Sequence, residues 1–129
     1  AYARGETDEF VEPTVIGGEL SELRVAHEET FGPVVTLVSV DGPEDALQRA
    51  NDSPYGLSGS VWTNDDEKAI RIAKRLETGS VTVNDASIMY GICEAPFGGL
   101  KESGVGHTNG PDALRAWCHE LPILLDKPH

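Results

Sequence analysis

The stretch LSGSVWTNDDEKAIRIAKRLETGSVTVN, residues 57–84, constrains this chain more than any other. Its ends, 57–62 and 80–84, are short runs rich in β-branched residues and read as strands. Between them, Asn64-Asp65-Asp66-Glu67 puts acids at a helix opening, and Ala69, Ile72, Ala73 and Leu76 recur at helical spacing. Gly79 is expected to end that helix. A strand joined to the next through such a helix returns parallel, the signature of a βαβ crossover.

The chain upstream repeats the alternation. VEPTVI (11–16) reads as a short extended segment closed by Gly17-Gly18, and VVTLVSV (34–40) as a strand buried on both faces. Gly42-Pro43-Glu44-Asp45 starts a second helix, with Asp41 as candidate cap and Ala46, Leu47 and Ala50 as its apolar stripe. Asn51 to Gly56 forms the turn that stops it near Pro54, with Tyr55 a partly buried anchor. The expected fold class is therefore α/β, built on a parallel βαβ sheet. Only two convincing helices, plus a short one near 110–118, cover three strands, so the layers look incomplete. LPILL (121–125) reads as a last apolar strand without a hairpin partner, an edge expected to pair with another part of an assembly. There is no internal repeat or low-complexity tract, and the final DKPH is expected to be loose.

A chain of 129 residues fits one domain and can bury a core. Its formal charge of −12 argues against nucleic acid or an anionic membrane surface as partner. No apolar run approaches the roughly 20 residues of a membrane span, and no export leader is visible. Cys93 and Cys118 form no CxxC pair, and no His/Cys array suits a metal, His119 beside Cys118 included. Buried or incidental thiols in a reducing cytoplasm are the expectation.

Two segments invite a chemical reading. PFGGLKESGVG (96–106) carries Gly98, Gly99, Gly104, Gly106 and the lysine Lys101, but neither the P-loop order nor GxGxxG after a strand. It is either a packing turn or the wall of a site. In AHEETFGPVV (26–35), Glu28 and Glu29 are consecutive, so their side chains diverge and a carboxylate dyad is not expected. By pattern alone they are solvated loop acids. No Ser, Cys or Lys sits in a nucleophile elbow or beside a paired base.

Five segments together, FVEPTVI (10–16), HEETFGPVV (27–35), NDSPYGLSGSVWT (51–63), LETGSVTVN (76–84) and APFGGLKESGVG (95–106), occur in an order and spacing that resemble the carboxyl-terminal portion of NAD(P)-dependent aldehyde dehydrogenases. The resemblance runs from about residue 8 to the terminal strand. It implies the second half of a catalytic domain over residues 1–118, followed by an oligomerisation strand and tail over 119–129. The implied reaction oxidises an aldehyde to a carboxylic acid with NAD or NADP, through a cysteine thiohemiacetal and a thioester. The family's nucleophile and general base precede everything in this chain, so no catalytic residue is assigned and the chain alone is expected to be inactive.

By the same resemblance, Glu29 matches the glutamate that hydrogen-bonds the nicotinamide-ribose hydroxyls, and Phe31 the aromatic beside that ribose and ring. Phe97 matches a position lining or supporting the substrate funnel. Residues 85–94 match the loop that shapes the aldehyde tunnel, with Met89, Tyr90 and Ile92 either lining an apolar pocket or simply packing the loop. Asn84, Lys101, Ser103 and Gly104 fit structural positions. The sequence departs from the family at Thr108, where many members carry a glutamate implicated in proton relay, and at His119, where some carry an acid. Neither Cys93 nor Cys118 lies in the nucleophile's context. The implied partners are an aldehyde and further copies of the chain, paired through the terminal strand. The other reading is a non-catalytic truncated module that self-associates or binds a full-length subunit.

Overall fold

The computed structural model describes residues 10–20 and 22–126. The chain divides into two units, the first ending at Ser53 and the second beginning at Pro54.

In the first unit, β1 (Thr14–Gly17) pairs in parallel with β2 (Val34–Leu37), Thr14 opposite Val34 and Gly17 opposite Leu37. Alternation along the pleat puts Thr14, Ile16, Val34 and Thr36 on a half-buried side. Val15, Val35 and Leu37 are exposed on the other. The expected strand over 34–40, buried on both faces, is thus shorter and covered on one face. Helix α1 (Pro43–Asn51) starts with proline at its first turn, where the missing N–H costs nothing. Asp41 is not its cap: Gly42 holds that position. Instead the Asp45 carboxylate reaches back to accept the Asp41 N–H at 3.1 Å, and also accepts from Arg49 Nε at 2.8 Å. Leu47 turns inward from this helix and is buried, as is Leu20. Ala46 is half-buried, whereas Ala50, expected on the same stripe, is exposed.

The second unit contains the expected crossover. Strands β4 (Ser58–Val61) and β5 (Ser80–Val83) pair in parallel, Ser58 opposite Ser80. Helix α2 (Asp66–Ala73) connects them and packs on both. Asp65 caps it, its side chain accepting the Lys68 N–H at 2.9 Å. Ala69 is completely buried beneath it. The preceding strand, β3 (Tyr55–Gly56), pairs antiparallel with β6 (Leu100–Lys101), which lies in the glycine-rich segment.

Gly79 does not end α2, which stops at Ala73. Its requirement is space: a Cβ there would lie 1.6 Å from the Gly98 carbonyl oxygen. A Cβ on Gly98 would in turn lie 2.3 Å from the Gly106 carbonyl oxygen. The glycines of 96–106 therefore let three backbone segments stack, which is the packing role expected of that loop. Ser103 Oγ accepts the Gly56 N–H at 2.9 Å and Lys101 pairs with Glu77 at 2.9 Å, fixing the loop further.

The last helix, α3 (Gly110–Ala116), buries Ala113. Beyond it, residues 119–126 form no strand among the described residues. Leu121, Ile123, Leu124 and Leu125 are all exposed. The strand expected at 121–125 is not formed here, because an extended segment needs a partner backbone and this one has none within the described chain. No helix of the described residues is long and apolar enough to cross a membrane. Cys93 and Cys118 are free and exposed, so of the two expectations, buried or incidental thiols, the buried one does not hold.

Candidate functional site

The loop between β1 and β2 separates the two consecutive acids. A short 3-10 turn at Arg24–Ala26 brings the His27 and Glu28 N–H groups onto the Arg24 carbonyl at 3.0 and 2.8 Å. One turn along, the Arg24 guanidinium meets the Glu28 carboxylate as a fork, Nε to Oε1 at 2.9 Å and Nη2 to Oε2 at 2.6 Å. That hydrogen bond, with the guanidinium charge, holds the Glu28 carboxyl below its usual range. Glu29 makes no hydrogen bond or ion pair among the described residues. It borders a cavity of about 570 Å³ shared with Arg24, Leu23, Val25 and Val34.

Two residues on, Phe31 is 98% exposed. The turn holding it is tied by Gly32 N–H to Thr30 O and Val34 N–H to Gly32 O, both 2.8 Å, and Pro33 O accepts from Thr14 N–H at 2.8 Å. Those bonds lead the chain directly into β2. An open carboxylate that only accepts hydrogen bonds, followed by an uncovered aromatic face, suits binding of a vicinal diol and a flat ring.

Phe97 belongs to the second unit. Its backbone bridges Thr108, with N–H···O distances of 2.8 and 2.7 Å, and the Thr108 hydroxyl donates to Phe97 O at 3.2 Å. Its half-buried ring lies 5.4 Å from that of Tyr90, tilted by 57°. Segment 85–94 is anchored at its start. The Asp85 carboxylate accepts the Ser87 and Ile88 N–H groups at 2.6 and 2.7 Å, while its carbonyl accepts the Ser60 and Thr82 hydroxyls. The two backbone N–H groups hold the Asp85 carboxyl below the usual aspartate range. Asn84, with φ of 55°, accepts Thr63 N–H and donates to Thr63 O, each at 2.8 Å. Of the apolar residues expected to line a pocket, Met89 is buried in the core, whereas Tyr90 and Ile92 are exposed.

The structure thus brings Glu29 and Phe31 together on one loop and places Phe97 in the other unit. Sequence reading passed over Arg24 and Asp85. The i,i+4 spacing of Arg24 and Glu28 was the available signal for the first. An aspartate two residues before a serine, in an Asx turn, was the signal for the second. No group of three or more His, Cys, Asp or Glu side chains able to hold a metal occurs among the described residues.

Residues 2–120 match the model of the Aldehyde dehydrogenase family. Among similar proteins, the geranial dehydrogenase of Castellaniella defragrans is 44% identical over 116 residues, covering 90% of this chain and 24% of that protein. Aldehyde dehydrogenase X, mitochondrial, of Bos taurus is 38% identical over 119 residues, 92% of this chain and 23% of that protein. Among solved structures, Mycobacterium tuberculosis aldehyde dehydrogenase complexed with NAD+ superposes with a TM-score of 0.77 at 42% identity, over 83% of this chain and 22% of that one. Indole-3-acetaldehyde dehydrogenase of P. syringae, in complex with NAD+ and IAA, gives 0.79 at 42% identity, over 91% and 23%. The chain spans under a quarter of the length of these relatives.

Proposed function

The chain belongs to the aldehyde dehydrogenase family, and we propose that it serves an enzyme oxidising aldehydes to carboxylic acids as the part that holds the nicotinamide end of NAD(P)+. One observation carries the reading: Arg24 occupies Glu28 and leaves Glu29 open beside an uncovered Phe31. The donor set fits the cofactor. A carboxylate with both oxygens available accepts two ribose hydroxyl bonds, and an exposed ring stacks beside a planar one. NAD or NADP, when bound, supplies the electron acceptor for the oxidation. Glu29 fixes the ribose orientation, and Phe31 limits the rotation of what is attached to it. Relatives include a structure complexed with NAD+ and a Mycolicibacterium smegmatis protein named as a succinate-semialdehyde dehydrogenase of the NADP(+) type.

Residues 1–118 in this reading are part of the catalytic domain, with Phe97 and the anchored 85–94 segment on the aldehyde side. Residues 119–129 are the oligomerisation strand and tail. The chain by itself does not turn over, because it contributes neither nucleophile nor general base. The test compares the complete gene product with this chain, each assayed for aldehyde-dependent NAD(P)+ reduction. Activity confined to the complete product is expected; reduction by the chain alone overturns the assignment.

A second reading, a non-catalytic module that self-associates or binds a full-length subunit, draws on the uncovered Leu121, Ile123, Leu124 and Leu125. Self-association through this segment is contradicted by a clean monomer in size-exclusion chromatography.

A further inference from the structure

We infer that Arg24 is a positioning residue that selects Glu29, over its neighbour Glu28, as the single carboxylate offered to the cofactor ribose; this rests on the function proposed above. Glu28, Glu29 and Arg24 all border the same cavity. Two adjacent carboxylates beside one site compete for the same diol and repel each other. The pairing removes one competitor, because the Arg24 fork engages both oxygens of Glu28 at 2.9 and 2.6 Å. Arg24 also accepts the His27 and Glu28 N–H groups on its carbonyl, so its backbone and side chain both fix the residue immediately before Glu29. Glu29 is then the one acid of the pair with open acceptor positions.

The ion pair is solvent-exposed, with side-chain accessibilities of 86% and 56%, so its influence is modest. Exposed pairs of this kind change equilibria about two- to fivefold. In the complete gene product, Arg24→Gln is expected to raise KM for NAD(P)+ by about that factor, leaving kcat and the aldehyde KM near wild type. The double variant Arg24→Gln/Glu28→Gln removes the released competitor along with the arginine and is expected to return KM for NAD(P)+ toward wild type.

A loss in Arg24→Gln that persists in the double variant means that Arg24 only braces the loop, and overturns the inference. An unchanged KM in Arg24→Gln also overturns it. If Glu29→Gln leaves NAD(P)+ kinetics untouched, the ribose reading falls first and takes this inference with it. A gene product with no NAD(P)+-dependent activity has the same consequence.

Discussion

Replacing Gly79 by alanine tests the backbone stacking that holds the second unit together. The added Cβ would stand 1.6 Å from the Gly98 carbonyl oxygen, 2.7 Å from its carbonyl carbon and 3.3 Å from Leu57 O. All three are backbone atoms, so no rotamer change relieves the overlap. Relief requires moving the 96–106 turn away from β5, with loss of the Gly79 N–H bond to Gly56 O at 3.0 Å. Overpacking costs about 1–3 kcal/mol where side chains can yield, and a rigid backbone contact belongs at the upper end. Taking about 3 kcal/mol, the folded-to-unfolded ratio falls roughly a hundredfold. With an m-value of about 1.5 kcal/mol/M, the urea midpoint falls by about 2 M. The assay is urea unfolding followed by tryptophan fluorescence, with Gly91→Ala as control. A Cβ at Gly91 meets nothing within 4 Å, so that change should stay within about 0.5 kcal/mol of wild type. Equal midpoints for the two variants would show that the turn does not pack on Gly79.

Three further outcomes are expected. Asp65→Ala removes the cap that accepts Lys68 N–H and should destabilise by about 1 kcal/mol in thermal or urea unfolding, with Asp65→Ser recovering most of it. Asn84→Ala loses both bonds to Thr63 and places alanine at a φ of 55°, so it should cost more than Asn84→Gly, which loses only the bonds; equal losses contradict the backbone argument. Asp85 has a folded pKa depressed below its unfolded value of about 3.9, so its stabilisation is complete above that pH and lost as pH falls through the folded value. A carbon NMR titration should show Asp85 titrating below an ordinary aspartate, and titration at or above that value contradicts the two N–H bonds.

The crossover from β4 through α2 to β5 was legible because it rests on local signals: β-branched runs, acids at a helix opening and apolar residues at helical spacing. Other expectations turned on partners that a local pattern does not identify. Gly79 looked like a helix terminator, but its need for space comes from Gly98, which spacing along the chain cannot reveal. Asp41 looked like a cap until Asp45 reached back to its N–H. Residues 121–125 have strand composition but no partner backbone among the described residues. At the site, the ordered motifs pointed to Glu29 and Phe31 through resemblance, while the physical distinction between Glu28 and Glu29 came from the Arg24–Glu28 pair across the 3-10 turn, whose i,i+4 spacing is the one local sign of it.

The proposed function requires that Glu29, and not Glu28, be the carboxylate that meets the cofactor. The most direct measurement is kcat/KM for NAD(P)+ in Glu29→Gln and Glu28→Gln versions of the complete gene product. Weakening two charge-assisted hydrogen bonds to neutral ones should lower the Glu29→Gln value about tenfold or more, with a much smaller change for Glu28→Gln. A larger loss in Glu28→Gln than in Glu29→Gln would contradict the claim.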